Sequence, residues 1–560
     1  MAELVKFFAL GGLDENGKNL YILEAGPDIF ILECGAKYPD KTHPGIDLII
    51  PNYDYLKMNK SRVRAYIITH GHDDQMGSLP FIYRDIPAPI YASYATIMMI
   101  KRLTQRLHLD VQYDFKEIKP SDQVKIAGRP VYFFQTCHEM MLSSGVGITT
   151  DQGVVVYSGD YIIEYNANVN YKHDLNALAQ IAEQPILALL TESLGADKPG
   201  YTSPTHRITP HLLRPFMDAE GRIFIATFNQ STYMLEEIIA LAIKMNKKIM
   251  FYDQNVAQYF NDFNAIGKLN IPPYNLISSD NLLRTKASDL VVLMMGQGDH
   301  IYNQIDLLAN SEHEDKRIIL TSSDTFIVAA PAGPSFEVLA TNAVDNLYRA
   351  GVKVVNIGRK QISNMHAQEE DLKLLIEMLN PKYYIPVKGD FRFLMANARL
   401  AASMNVHLNH SNIFLLDNGM IVRFDDGKAK LLVGSLDKLP TGDLYVDGTG
   451  VGDISATVIE DRQKLSDDGV IVLALAISRK HRKIIAGPDV QTRGFVFVKE
   501  NDNLVNELTN ILTDTVNKHL AMATFNQEVC AQEVEEQAFR FVRRVTRKQP
   551  MILPLISEVE

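Results

Sequence analysis

The segment Thr69-His70-Gly71-His72-Asp73-Asp74-Gln75 sets two imidazoles one small residue apart, with carboxylates directly beyond them. Side chains so spaced can converge on a divalent cation from a tight loop, and imidazole with carboxylate suits zinc. Alone, the pattern also fits a polar surface loop. Two further groups recur in the same kind of place: His138 follows the apolar run VYFFQT, and Asp160 ends GVVVYSGD. His70, His72 and His138 can hold one zinc while Asp160 approaches it from a neighbouring strand, a tetrahedral type of set with room for water. Taken singly, His138 reads as a structural histidine. Three groups at the ends of three apolar runs point instead to a metal site.

The elements that must position these groups are legible as hydrophobic patterns. Ala65 to Ile68 read as a buried strand, so the HGHDD side chains emerge at a strand's carboxyl end, where open α/β sheets commonly place ligands. Through the first 200 residues strand-like runs such as NLYILEAGPDIFILECG, RAYIITH, PVYFFQT and GVVVYSGD alternate with turn signals, and the helical patterns between them are shorter. A layered α/β domain is the expectation. From about Arg222 the texture becomes βα repeats: RIFIAT, a helix with Leu235, Ile238, Ile239 and Ala242 on one face, then KKIMFYD, as in a doubly wound insertion. GVKVVNIG returns to a strand, and EEDLKLLIEML supplies a helix through Leu372, Leu375, Ile376 and Leu379 that stops at Asn380-Pro381. Gly and Asp then accumulate between Asp425 and Asp453, as in a linker. Beyond it GVIVLALAIS, GFVFV and a helix bearing Leu504, Leu508, Ile511 and Leu512 read as a small α/β appendix.

Composition sets outer limits. A chain of 560 residues exceeds one core, and 46% apolar with 22% charged residues describes an ordinary globular protein of three or so units. A net charge of -11 argues against coating nucleic acid by charge alone, so any RNA site must be a local one. Cys34, Cys137 and Cys530 are far apart and odd in number, which predicts a reducing compartment without disulfides. No apolar run is long enough to span a membrane and the start MAELVKFFALGG carries no secretory pattern, so the expected location is cytoplasmic. The basic runs RKHRK (Arg479 to Lys483) and RFVRRVTRK (Arg540 to Lys548) read as solvated faces or nonspecific phosphate contacts. MGQGD lacks the spacing of a nucleotide loop and reads as a turn, while APAGPS (Ala330 to Ser335) reads as a strand-to-helix turn facing a phosphate.

THGHDD, the strand-end His138, SGD at Asp160 and the opening GGLDENGKN together resemble the nucleic-acid branch of the metallo-β-lactamase superfamily. TESLGADKPG with Glu192, SNMHAQEEDLKLL with His366 and YYIPVKGDFR resemble the three motifs of its β-CASP group. PGIDLIIPNYDYL, NLYRAG, VDGTGVGDIS, GPDVQTRGFVFV and RKQPMILPLI extend the likeness to the ribonuclease J family over nearly the whole chain. The resemblance implies a metallo-β-lactamase αββα sandwich with an inserted doubly wound β-CASP domain and a small α/β C-terminal domain. The boundaries expected are residues 1–204 and 358–425 for the two parts of the sandwich, 205–357 for the insertion, 426–449 for a linker and 450–560 for the assembly domain. It further implies a 5′-to-3′ exoribonuclease, sometimes an endonuclease, in messenger decay and ribosomal RNA maturation. Its chemistry would come from two zinc ions that together stabilise charge on the phosphate. By the same resemblance Asp74, Glu192 and His366 are the catalytic groups, Asp74 is also a metal ligand, and RNA is contacted by Asn229, Gln230, Ser231, Tyr233, Ser335, Ser363, Asn364, Met365, His366 and Ala367.

Several positions depart from the family pattern. Gln75 stands where HxHxDH has its last histidine, Lys388 where the third β-CASP motif has histidine, and Glu33 where the superfamily has aspartate. An amide is a poor zinc ligand and a protonated amine is none, so one zinc is expected and a second is not, with manganese or magnesium as other occupants. Lys388 would replace part of the missing positive charge. Met365 replaces a glycine, and Tyr233 and Met234 replace basic or imidazole groups. These departures match the divergent second paralogue that assembles with a fully liganded first one. The expectation is therefore a weak ribonuclease that binds RNA and a paralogous subunit, in a homo- or hetero-oligomer (dimer or tetramer), with a noncatalytic RNA-binding scaffold as the alternative. A metallo-hydrolase acting on a thioester or lactam shares the metal motif but leaves the insertion and appendix unexplained.

Overall fold

A computed structural model describes residues 3–559 except 41, 253, 266, 334–335, 405, 433, 435–437, 449, 453 and 496–501. Two compact units divide the chain: residues 1–38 with 48–444, and residues 39–47 with 445–560.

Two sheets lie at the centre of the first unit. One runs in the order Lys428–Leu431, Ile421–Asp425, Val5–Gly11, Leu20–Ala25, Asp28–Leu32, Val63–Ile67, Ile90–Ser93, Phe115–Ile118. The other runs Tyr383–Pro386, Ile186–Thr191, Gly153–Tyr157, Ser144–Thr150, Arg129–Gln135, Gln123–Ile126. Phe7, Tyr21, Phe30 and Ile67 of the first pack with Phe133, Val146, Tyr157 and Ile385 of the second in one dry layer. Burying two apolar sheet faces against each other is what forces the pair together. The outer face of the second sheet carries the helices Leu175–Ala182, Glu369–Leu379 and Phe391–Ser403 through Leu178, Leu372, Ile376 and Leu400. The helix Tyr94–Arg106, 13 residues long, packs near the edge of the first sheet and is longer than the short helices expected in this region. This is the αββα sandwich.

A separate five-stranded sheet, all parallel, runs Lys248–Phe251, Leu290–Gly296, Ile223–Phe228, Thr325–Ala329, Lys353–Asn356. Its first strand in sequence is central and the chain winds outward both ways, as a doubly wound insertion does. The expected helix through Leu235 and Ile239 is Thr232–Lys244, and MGQGD is the turn between strand Leu290–Gly296 and helix His300–Ala309. The segment read as a linker holds two strands, Lys428–Leu431 and Asp443–Asp447, and the first of them extends the larger sheet.

In the second unit Val470–Ser478 pairs with Lys483–Arg493 and with Met551–Glu558. The helices Asp502–Leu520 and Gln527–Thr546 cover this sheet through Leu508, Leu512, Val534 and Ala538. RKHRK forms the turn between the first two strands, and the second basic run closes the last helix. Most of GFVFV, read as a strand, lies outside the described residues. Among the described residues no helix is long and apolar enough to cross a membrane.

Candidate metal centre

The functional side chains gather because strands that point the same way stop together. In the second sheet Gly153–Tyr157, Ile186–Thr191 and Tyr383–Pro386 are parallel, and the residues just past their ends are Asp160, Glu192 and Lys388. Val63–Ile67, parallel to Asp28–Leu32 in the first sheet, delivers Thr69 and His70 to the same edge. The turn after His70 is clamped by backbone: Cys34 N donates to Gln75 O (2.6 Å), Ala36 N to Asp73 O (2.9 Å) and Asn19 N to Asp74 O (3.1 Å). A Cβ on Gly35 would lie 1.6 Å from the Asp74 carbonyl oxygen, so that close approach admits glycine alone.

His70, His72, His138 and Asp160 form one cluster whose candidate ligand atoms all lie within 4.8 Å of one another. The partner of each imidazole's other nitrogen decides which nitrogen faces inward. The Thr69 hydroxyl donates to Glu33 Oε1 (2.5 Å), so its oxygen accepts from His70 Nδ1 (2.8 Å). His138 Nδ1 donates to the carbonyl of Met365 (2.7 Å), and His72 Nε2 donates to the carbonyl of Gln230 (3.1 Å). Lone pairs therefore remain on His70 Nε2, His72 Nδ1 and His138 Nε2. His70 Nε2 is buried with no hydrogen-bond partner among the described residues, and His138 Nε2 and His72 Nδ1 face each other at 3.4 Å. Two bare lone pairs at that distance repel, and a cation between them removes the repulsion. Burial holds His70 and His138 well below the usual imidazole range, and so in the neutral, ligating form. The chemistry of these donors fits one zinc-type ion.

The neighbouring position, where a second ion would sit, does not fit. Lys388 Nζ is in contact with Asp160 Oδ2 and lies 2.8 Å from Asp74 Oδ2. Oriented by its hydrogen-bond partners, the Gln75 amide presents its oxygen to the same Nζ at 2.8 Å. Burial opposes the Asp160 charge, yet the Lys388 ammonium, with His366 beside it, holds its carboxyl well below the usual carboxylate range. Glu33, just past the strand Asp28–Leu32 and hydrogen-bonded to Thr69, is pushed up to about 8, chiefly by burial.

Glu192 and His366 meet beside this centre: His366 Nδ1 to Glu192 Oε2 is 2.6 Å, and Glu192 Oε1 accepts from Tyr161 N (2.8 Å) and Ala367 N (3.1 Å). Burial opposes a charge on His366, but the adjacent Glu192 carboxylate outweighs it and raises the imidazole pKa. The remaining residues expected to touch RNA divide. Asn364 is exposed and Ser363, Asn229 and Gln230 are half-buried near the cluster, whereas Met365, Ala367, Ser231 and Tyr233 are buried. The Tyr233 ring packs on Tyr171 and His206, away from any open surface, and Met365 contributes its carbonyl to His138. Ser335 lies outside the described residues. Sequence reasoning missed the positioning role of Thr69, and with it that of Asn19, whose backbone N–H holds the Asp74 carbonyl at 3.1 Å. It also missed Asp73, which binds Tyr38 and Gln297 and lies 3.5 Å from Arg106.

An αββα sandwich with histidines and aspartate at the shared strand edge, interrupted by a parallel doubly wound domain, defines a metallo-β-lactamase-fold protein with a β-CASP insertion. Residues 220–347 match the family model described as "Ribonuclease J, beta-CASP domain", and residues 457–559 match "Ribonuclease J C-terminal domain". The chain is similar to the ribonuclease J family over its β-CASP and C-terminal parts. It is 28% identical to Ribonuclease J 2 of Staphylococcus aureus (strain NCTC 8325 / PS 47) over 555 residues, covering 99% of this chain and 98% of that protein. The same identity and coverage hold for Ribonuclease J 2 of Staphylococcus epidermidis. A crystal structure of a protein of unknown function from Enterococcus faecalis V583 shares the fold at 15% identity and a TM-score of 0.51, over 77% of this chain and 100% of that one.

Proposed function

We propose that this chain is an RNA-processing nuclease of the ribonuclease J type. In this reading it is a cytoplasmic 5′-to-3′ exoribonuclease with endonuclease capacity, acting in ribosomal RNA maturation and messenger decay, with weak intrinsic activity and a paralogous subunit as partner. The observation that carries this reading is the convergence of three imidazole lone pairs, each fixed by a hydrogen bond on the opposite nitrogen, beside Asp160. His70, His72, His138 and Asp160 would hold zinc, with manganese or magnesium as other occupants. When bound, the ion supplies Lewis-acid polarisation of a phosphate oxygen. The chain's own part is to orient and protonate: Glu192 holds a proton on His366 Nδ1, and the partly accessible imidazole can hydrogen-bond the scissile phosphate. Weak activity follows from the ammonium that stands where a second ion would share the phosphate's charge.

Decay of a 5′-monophosphorylated RNA by His72→Ala and Asp160→Ala variants tests the assignment. Each is expected to lose at least about 100-fold in rate, more than loss of a ligand's supporting hydrogen bond costs, and unchanged decay in both would sink it. The seat of Lys388 favours a second reading, a noncatalytic RNA-binding scaffold in a hetero-oligomer. On that reading the variants change nothing intrinsic while the chain raises a paralogue's turnover on mixing, and failure of the two to copurify excludes it.

A further inference from the structure

We infer that this chain has replaced its second metal ion with a tethered ammonium, so that its full cation complement is one divalent ion at the histidine cluster and Lys388 Nζ beside it. The inference rests on the metal-centre assignment above, and it concerns occupancy and not activity. Three oxygens from two chain segments close on Nζ: Asp160 Oδ2, Asp74 Oδ2 at 2.8 Å and Gln75 Oε1 at 2.8 Å. A lysine ammonium has three N–H donors and no acceptor, so this tripod satisfies it completely. The two positions that depart from the family pattern, Gln75 and Lys388, are thus two halves of one device. The amide supplies the oxygen that a histidine at position 75 would lack.

Sterics and charge both bar an ion from this position. A divalent cation bonds carboxylate oxygen at about 2.0–2.2 Å, so one bound to both Asp74 and Asp160 would overlap Nζ and meet its charge. The ammonium cannot move aside cheaply, because Lys388 is buried, with a side-chain exposure of 2%, and its backbone sits in the left-handed region at φ 62°. Gly389, at φ 110°, completes the turn that aims the side chain inward. Asp160 faces both cations, with His70 Nε2 and His138 Nε2 at 3.5 and 3.6 Å from the same Oδ2 that Lys388 touches. The ammonium offsets charge but has no vacant orbital, so it cannot acidify water as an ion can.

Metal counting on the full chain tests this without reference to RNA. Metal-stripped protein titrated with excess Mn2+ should take up about one ion per chain by mass spectrometry, with the six-line electron paramagnetic resonance signal of an isolated ion. The double variant Gln75→His/Lys388→His should take up about two, with an exchange-coupled signal, since two imidazoles then replace the amide and the amine. Asp74→Asn, which alters the ammonium's seat and leaves His70, His72, His138 and Asp160 in place, should keep the count at one and keeps the test decisive if the double variant does not fold. Two ions in the unaltered chain, none in it, or a fall in the Asp74→Asn count each overturn the inference. A folded double variant that stays at one ion does the same. RNA decay that proves absent while the count is one sinks the nuclease reading and leaves this one intact.

Discussion

Thr69 shows how much of the metal centre is decided by residues that never touch the metal. Its hydroxyl proton goes to Glu33, which leaves its oxygen as the acceptor for His70 Nδ1 and turns Nε2 inward. Thr69→Val keeps the shape and removes that acceptor, so His70 is free to take the wrong tautomer. Affinity for Zn2+ measured by chelator competition should fall roughly 10–100-fold with the fold unchanged, and an unaltered affinity would show that packing alone orients the ring. The candidate ligands His70, His72, His138 and Asp160 could be picked out in the sequence because they follow the ends of apolar runs. The backbone carbonyls of Gln230 and Met365, which fix two of the three imidazoles, were not. A carbonyl is present at every residue, so only its position distinguishes it. The same holds for Met365 and Tyr233, read as lying against RNA and found buried, since an apolar or aromatic side chain carries no mark of which way it faces.

At the scale of elements, the helix Glu369–Leu379 links the metal centre to the sandwich through Asp371. Its carboxylate caps the helix by accepting from Gln368 N (3.0 Å), and it also accepts from Ile163 N (2.9 Å) and Thr202 N (3.0 Å). Asp371→Ala leaves three donors without that acceptor at a site where water is scarce, at about 1–3 kcal/mol for each buried group. A loss of roughly 3 kcal/mol or more in urea unfolding is expected, with weakened metal binding because the segment Met365–Gln368 anchors His138. A loss under about 1 kcal/mol would mean that other groups take up those N–H donors. The helix itself was plain from its i, i+3, i+4, i+7 leucines, and Asn380 ends it in the left-handed conformation, φ 41°. The strand Lys428–Leu431 was read as linker although its signal was present: Asp426 and Gly427, at φ 48° and 70°, make the tight turn of a hairpin. Charged flanks hid it, because an edge strand needs only one apolar face.

For the molecule as a whole, buried histidines set how stability follows pH. His173 is fully buried, both ring nitrogens lack partners among the described residues, and burial lowers its pKa to about 4. His206, also buried, is lowered to about 4 for the same reason. Above the ordinary imidazole pKa near 6.5 both are neutral whether the chain is folded or not, and stability is at its full value. Between there and about 4 only the unfolded chain takes up the protons, so each histidine lowers stability by about 1.4 kcal/mol per pH unit, roughly 3 kcal/mol for each over that range. Denaturant unfolding at pH 7 and pH 5 should show this slope for the unaltered chain and a smaller one for His173→Leu. Equal slopes would remove His173 from the account. The sequence by itself determined the candidate ligand types, the two layered α/β patterns, the doubly wound insertion and the two positions, Gln75 and Lys388, that depart from the metal motif, because periodicity and side-chain chemistry are local properties. Only the tertiary structure decided that Gln75 and Lys388 act together. They lie 313 residues apart, and what joins them is that parallel strands of two sheets end at one edge, which brings Asp160, Asp74 and an ammonium to a single point.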